Sequence, residues 1–206
     1  MTQLGFAAVE ALSPSTDASL GQLFTPLKLA ARIVEWAGVH HGMRVVEPSC
    51  GTGRFVAPLA DAGAEVFAVD IDPRMVEVTA RISTRAPVVT GNFLGMEVPP
   101  PDRFDLAIGN PPWDDGAYAV HVEQWLRWAP RAVALLPLAC LASRDRYERL
   151  WSRHRLTRMV SFGRRPGFGG EYATGDRDVG VFELVRRLRP REPGEVDLVA
   201  VEWWDP

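Results

Sequence analysis

The sequence predicts an α/β fold, a mostly parallel sheet with helices on both faces. Three observations predict it. Strand and helix signals alternate over most of the 206 residues. The first short strand runs into a glycine turn that opens a helix. The polar residues Glu47, Asp70, Asn92 and Asn110 fall where strands end, the edge of such a sheet at which ligands gather.

Each element has a local cause. Residues 1–20 are rich in Ser, Ala and Thr without a clear period, and are expected to form a flexible arm ahead of one domain at 21–206. Pro26 suits a first helical turn, and Leu27, Ala30, Ile33 and Ala37 recur at helical spacing, so a helix is expected from Pro26 to Val39. Arg44–Glu47 is a short strand stopped by Pro48. A helix from Gly53 to Ala62 follows, then a strand over Glu65–Val69 ending at Asp70, a helix from Pro73 to Ile82 and a strand at Val88–Thr90. Phe104–Ile108 is a fourth strand, halted by Asn110-Pro111-Pro112. Residues 117–129 form a helix, and the unbroken apolar run Ala132–Leu136 suits a central buried strand. A basic amphipathic helix over 143–153, strands at Met159–Phe162 and Val179–Val185, and a tail strand at Val196–Val201 complete the chain. The Gly-rich segment 163–177 joins the two strands before the tail.

Composition excludes several classes. With 47% apolar and 24% charged residues, the chain is globular rather than disordered. No apolar run reaches the roughly 18 residues of a membrane span, and no basic stretch precedes an apolar core at the N-terminus. Cys50 and Cys140 are too few for a disulfide framework or a cysteine-based zinc site. His121 and His154 have no partner at ligand spacing, so no metal is expected. These features fit a soluble protein of a reducing cytoplasm.

Charge is uneven. Residues 144–191 hold 13 Arg, no Lys and 6 carboxylates, a balance of +7, against −10 elsewhere and −3 in total. A basic third on an acidic body suits an anionic partner. The same arginines could equally be a solvated helix face.

Glu47-Pro48-Ser49-Cys50-Gly51-Thr52-Gly53 follows the first strand. Gly51 and Gly53 allow a tight turn and close approach of a ligand. The turn presents backbone N–H groups at a helix start, suited to a carboxylate or phosphate. Asp70, seventeen residues after Gly53, is placed to accept hydrogen bonds from both hydroxyls of a ribose. The third glycine of the dinucleotide fingerprint is replaced by Val56, which favours a compact nucleoside over a pyrophosphate-bearing cofactor.

Phe24-Thr25-Pro26, EPSCGTGRF at 47–55, VDIDP at 69–73 and NPPW at 110–113 together resemble the motif series of class I amino-methyltransferases, and more narrowly the short N6-adenine DNA methyltransferases. The resemblance covers about residues 21–137. It implies a Rossmann-like fold with a seven-stranded sheet and S-adenosylmethionine as the cofactor. On this sequence it implies that Phe24, Thr25 and Pro26 cover the methionine end, that Glu47, Gly51 and Gly53 line its carboxylate and amino group, and that Asp70 holds the ribose. It places Ile71 on the adenine ring and Asn92-Phe93 at the adenine amino group. Asn92 departs from the family's usual aspartate, and its carbonyl can accept the same hydrogen bond without a charge.

The NPPW segment suits transfer to an exocyclic amine. Such a nitrogen shares its lone pair with the ring and is a poor nucleophile. Two acceptors at its N–H groups, the Asn110 side-chain oxygen and the Pro111 carbonyl, would hold it toward sp3 geometry. Pro111 and Pro112 fix an extended backbone. Trp113 would offer a flat face on which a base stacks, worth about 1–3 kcal/mol. Taken alone, the same four residues could be a strand-ending turn with Trp113 in the core. Cytosine carbon-5 chemistry needs a thiolate, usually in a Pro-Cys pair here, and this sequence has Pro-Pro.

On the basic side, Arg144, Arg146, Arg149, Arg153, Arg155 and Arg158 precede Arg164-Arg165. Arg164 or Arg165 is expected to bind backbone phosphate and Phe168, with Tyr172 nearby, to hold an extruded base. About 20 residues follow the last core strand, too few for a separate target-recognition domain, so sequence specificity is expected to be low, supplied by the 163–177 loop, or supplied by a partner subunit. The expected activity is methylation of adenine N6 in DNA. The alternatives are a protein glutamine amide, an RNA base, or a catalytically silent cofactor-binding subunit.

Overall fold

The computed structural model describes residues 23–82, 86–168, 178–189, 191–192 and 194–205. The expected arm at 1–20, and Tyr172 with the rest of 169–177, lie outside the described residues. The helices are α1 (Leu27–Trp36), α2 (Val56–Asp61), α3 (Pro73–Ile82) and α4 (Ala117–Trp128). The strands are β1 (Arg44–Glu47), β2 (Glu65–Asp70), β3 (Val88–Thr90), β4 (Leu106–Gly109), β5 (Arg131–Pro137), β6 (His154–Phe162), β7 (Val179–Arg186) and β8 (Ala200–Trp204).

The sheet order is β3-β2-β1-β4-β5-β7-β6-β8. Only β7 runs against its neighbours β5 and β6; the other described pairings are parallel. The sheet therefore has eight strands rather than seven. The extra one is the tail strand, which starts four residues later than expected and pairs along β6 from Arg158↔Ala200 to Phe162↔Trp204. Its bulky end carries it there: Trp204 is buried and meets Trp36 and Phe162 edge-on.

Period-two alternation splits each central strand between two cores. Val45, Leu106, Ile108, Val133, Leu135 and Val181 face α1 and α2. Val46, Ala107, Ala132, Ala134, Leu136 and Phe182 face α4. Both faces are covered, so the strands read as continuous apolar runs. Strand order reverses between β1 and β4, and the crevice above their carboxyl ends is where such sheets bind ligands.

Two expectations about the basic third change. The helix foreseen at 143–153 is one α turn at Arg144–Arg146 leading into a π turn at Tyr147–Trp151. The wider turn lets both Leu150 and Trp151 enter the core, where Trp151 Nε1 donates to the Cys140 carbonyl at 2.8 Å. Arg158 belongs to the frame rather than to a ligand surface. It pairs with Glu183 at 2.6 Å, donates to the Trp36 carbonyl and lies over the Trp36 ring. Arg131 reaches the same carboxylate and donates to the Ala37 carbonyl, so two cations close the C-terminus of α1. Burial would raise the Glu183 carboxyl, but the bonds from Arg158 and Thr157 and the charge of Arg131 outweigh it and hold it below its ordinary range.

His154, at the start of β6, is buried with neither ring nitrogen hydrogen-bonded among the described residues. Burial lowers its pKa to about 4. In the unfolded chain it titrates near its ordinary value of about 6.5. Between these values the unfolded state binds the proton and the folded state does not, so stability falls as pH drops through this window and is unaffected by this group above it. The thermal midpoint of wild type should therefore fall more steeply from pH 6.5 to 4 than that of His154→Gln; parallel curves would remove His154 as the cause.

Candidate active site

The glycine turn after β1 is fixed from three sides. Cys50 N–H donates to the Val69 carbonyl at 2.9 Å, and Gly51 N–H donates to Asp70 Oδ2 at 2.7 Å. From α3, the Thr79 hydroxyl donates to the Gly51 carbonyl at 2.7 Å. Gly53 has φ +77°, and a β-carbon there would press on Thr79 at 3.2 Å. The helix begins at Val56, three residues later than expected, because the turn takes residues 51–55.

Above this turn lies a cavity of about 330 Å³, lined by Phe24, Ser49, Gly51, Asp70, Ile71, Asn92, Phe93, Asn110, Pro111, Pro112 and His121 among others. That is within the usual range for small-molecule sites, roughly 300–1,000 Å³. Gly51, at φ +50°, leaves a bare floor beside the Phe24 ring. Asp70 Oδ2 accepts from Gly51 N–H and Oδ1 from Asp72 N–H at 2.9 Å, with the Ile71 N–H also close, and the carboxylate keeps lone pairs that a diol could use. Burial raises the Asp70 pKa against the backbone N–H groups of Asp72, Gly51 and Ile71. Ile71 is 54% exposed, an apolar platform at the cavity rim. Asn92 Oδ1 caps the turn at Phe93–Gly95 by accepting from Leu94 N–H at 3.1 Å, which leaves one lone pair for a ligand.

The remaining sequence candidates shape the wall from behind. Thr25, Pro26 and Gly53 do not line the cavity, and Pro26 caps α1. Glu47 is 1% exposed and also stands behind the wall. Its Oε1 accepts from Ser49 N–H at 3.2 Å, and Oε2 has no partner. Burial pushes its pKa well up. The carboxyl fits because Gly109 lacks a β-carbon, which would lie 2.3 Å from Oε1.

Asn110 follows Gly109 at the end of β4. Its Nδ2 donates to the Leu23 carbonyl at 3.1 Å, which fixes the amide's orientation because a carbonyl can only accept. Oδ1 is thereby turned away, buried and without a partner among the described residues. Trp113 differs from expectation. It is 5% exposed, packs in the core beneath the cavity, and donates from Nε1 to the Leu135 carbonyl at 3.1 Å. Phe168 is 4% exposed and meets the Trp113 ring edge-on at 5.2 Å. In this conformation neither ring offers a stacking face, because each covers the other. Arg164 lies 3.7 Å from Asp205, and Arg165 pairs with Asp178 at 2.7 Å, both exposed. Sequence reasoning missed His121 as a cavity residue; its position one turn into a helix that starts above the strand ends is the signal that could have found it.

The glycine turn after β1, the acid at the end of β2 and the amide at the end of β4 are carried on a Rossmann-like fold of the class I methyltransferase kind. Residues 45–127 match the family model described as a methyltransferase domain. Over 104 residues the chain is 31% identical to the type II methyltransferase M.CvrRI of Paramecium bursaria Chlorella virus XZ-6E, covering 50% of this chain and 27% of that protein. Over 114 residues it is 30% identical to a dimethyladenosine transferase of Schizosaccharomyces pombe, covering 52% and 36%. The chain thus spans about a quarter to a third of these relatives. Among solved structures, PH1948 of Pyrococcus horikoshii, a candidate RNA methyltransferase, superposes with a TM-score of 0.70 at 17% identity over 91% of this chain and 100% of PH1948, a likeness of fold. The family match and the fold indicate S-adenosylmethionine as the cofactor. The cavity fits it: a bare glycine floor, a carboxylate with free lone pairs and an apolar rim. Among the described residues, no helix is long and apolar enough to cross a membrane.

Gly109→Ala should displace the buried Glu47 carboxyl and cost about 1–3 kcal/mol by denaturant titration, the scale of core overpacking. An unchanged midpoint would mean that Glu47 has room to move.

Proposed function

We propose that this domain transfers a methyl group from S-adenosylmethionine to the exocyclic amine of adenine, with N6 of a base flipped out of DNA as the substrate. The observation that carries the reading is Asn110 Oδ1, an acceptor held in fixed orientation at the cavity wall with no partner among the described residues. A buried unpaired acceptor costs about 1–3 kcal/mol, and an amine N–H recovers it. The bound cofactor supplies an electrophilic methyl carbon on a sulfonium. Asn110 and the Pro111 carbonyl take one N–H each, which turns the nitrogen lone pair toward that carbon. Orientation and electrostatics then do the work, and no strong base is required because the amine becomes acidic once methylated.

The oxygen is sealed from solvent in this structure, so the base reaches it only by moving its cover. Trp113 acts here as a buried brace of the NPP turn, through its bond to Leu135, rather than as the first stacking face. The ion pairs of Arg164 and Arg165 are exposed and worth little, about 0–1 kcal/mol, so a phosphate can replace the carboxylates.

RNA is the second reading, since the relative from Schizosaccharomyces pombe is named for adenosine. Incubation with labelled S-adenosylmethionine and DNA or RNA, then digestion to nucleosides and mass spectrometry, separates the two. N6-methyldeoxyadenosine is expected; label confined to protein, or to bases other than adenine, would overturn the reading. Asn110→Ala should lower turnover at least about 100-fold, the scale of one lost transition-state donor or acceptor, with cofactor affinity nearly unchanged. Arg164→Ala combined with Arg165→Ala should weaken nucleic-acid binding and flatten its dependence on salt; an unchanged slope takes these side chains out of the interface.

A further inference from the structure

His121 is the cavity residue with no structural occupation. It lies in the second turn of α4, which begins above the carboxyl end of β4 and packs against the Phe93–Gly95 turn. Three residues on, Gln124 Nε2 reaches toward the Met96 carbonyl at 3.5 Å, and seven on, Trp128 packs on Phe93 at 4.5 Å. His121, Gln124 and Trp128 share one helix face, so His121 is aimed at the part of the cavity formed by Asn92 and Phe93. Neither of its ring nitrogens has a hydrogen-bond partner among the described residues. Nδ1 is sealed, whereas Nε2 is not, and the ring lines the cavity.

We propose that His121 is a binding residue for the cofactor's adenine, donating a hydrogen bond from Nε2 to one of its ring nitrogens. The inference rests on S-adenosylmethionine as the cofactor and not on which substrate is methylated. The donor role follows from the tautomer. A proton on Nδ1 would leave a buried N–H stranded without an acceptor, an arrangement rarer in proteins than an unsatisfied acceptor. The proton therefore sits on Nε2, toward the cavity. Adenine offers only lone pairs at its ring nitrogens, so the complement is donor on protein and acceptor on ligand. Asn92, on the adjoining turn, offers the opposite polarity, an acceptor for the amino group. Together they distinguish adenine from a base whose amino group is replaced by a carbonyl. Burial lowers the His121 pKa to about 4, so the ring is neutral near pH 7 and carries one donor.

The test is calorimetry with S-adenosylhomocysteine, which binds without turnover. His121→Phe, which keeps an apolar ring of similar volume, should weaken binding about 5- to 10-fold, the scale of one neutral hydrogen bond. His121→Gln, with an amide N–H, should recover most of it. With the 1-deaza, 3-deaza and 7-deaza analogues, one should lose the same factor on wild type and nothing further on His121→Phe. Should either variant fail to fold by circular dichroism, ¹⁵N-histidine spectra of the wild type decide: the His121 Nε2–H should become protected from exchange when S-adenosylhomocysteine is added. Tight binding by wild type with equal affinity in the variants, or no such protection, overturns the role of His121 alone. No binding by wild type overturns the cofactor assignment and this inference with it.

Discussion

The bond from Gly51 N–H to Asp70 Oδ2 joins the turn after β1 to the end of β2, and the cavity is built around it. A carboxylate at a strand end is costly to desolvate. Here it takes two backbone N–H groups, and those same bonds set the height of the glycine turn above the sheet. Thr79 locks the turn's carbonyl from α3, so strand, turn and helix share one small network. Because backbone N–H groups do not use every lone pair of the Asp70 carboxylate, the network is rigid without being complete. A diol can join it without dismantling anything.

The arginines of residues 144–191 show why charge count and charge availability differ. The balance of +7 is real, yet Arg153 pairs with Glu123, Arg155 lies 4.0 Å from Asp197, and Arg187 is tied to Glu195 and Asp197. Several of these carboxylates lie outside the basic segment, so the acidic body and the basic third meet and partly cancel. What separates the pairs is burial. The Arg187 side chain is 8% exposed and Glu183, the partner of Arg158, is 9% exposed, so breaking either pair would strand a buried charge. Arg164 and Arg165 sit in solvent, where exchange of one anion for another is nearly neutral.

The fold was legible because the sheet's two-residue period and the helix spacings are written in local sequence, and β1, β2 and β3 fall within a residue of their expected limits. Burial of particular rings was not. A tryptophan after Asn-Pro-Pro has the same local signature whether it lies open or packed. The choice was made by Leu135, twenty-two residues on, whose carbonyl takes the indole N–H, and by Phe168 against its edge. The π turn at 147–151, and the late start and sheet pairing of the expected tail strand, likewise depend on what Trp151 and Trp204 find to pack against, which is a long-range fact. His121 was passed over because a lone histidine inside a helix carries no spacing signal. Only the placement of α4 over the strand ends gives it meaning.

The site's chemistry follows from where the structure leaves hydrogen bonds unmade. Most polar groups around the cavity are satisfied by neighbours, and the satisfied ones build the wall. Asn110 Oδ1, Glu47 Oε2 and the His121 ring are not. An unmade bond in a buried place is a standing cost, of about 1–3 kcal/mol for a neutral group, that the folded chain carries without return unless a ligand completes it. Two of these groups, Asn110 and His121, line the same cavity at different depths, one past the end of β4 and one facing the end of β3. Under the proposed reading two ligands complete them, the cofactor's adenine at His121 and the substrate's amine at Asn110, on the two sides of the switch point. In the proposed arrangement the cofactor's base lies toward Asn92 and His121, a donor where the base has lone pairs, and the substrate's amine lies toward Asn110, an acceptor where an amine would be held.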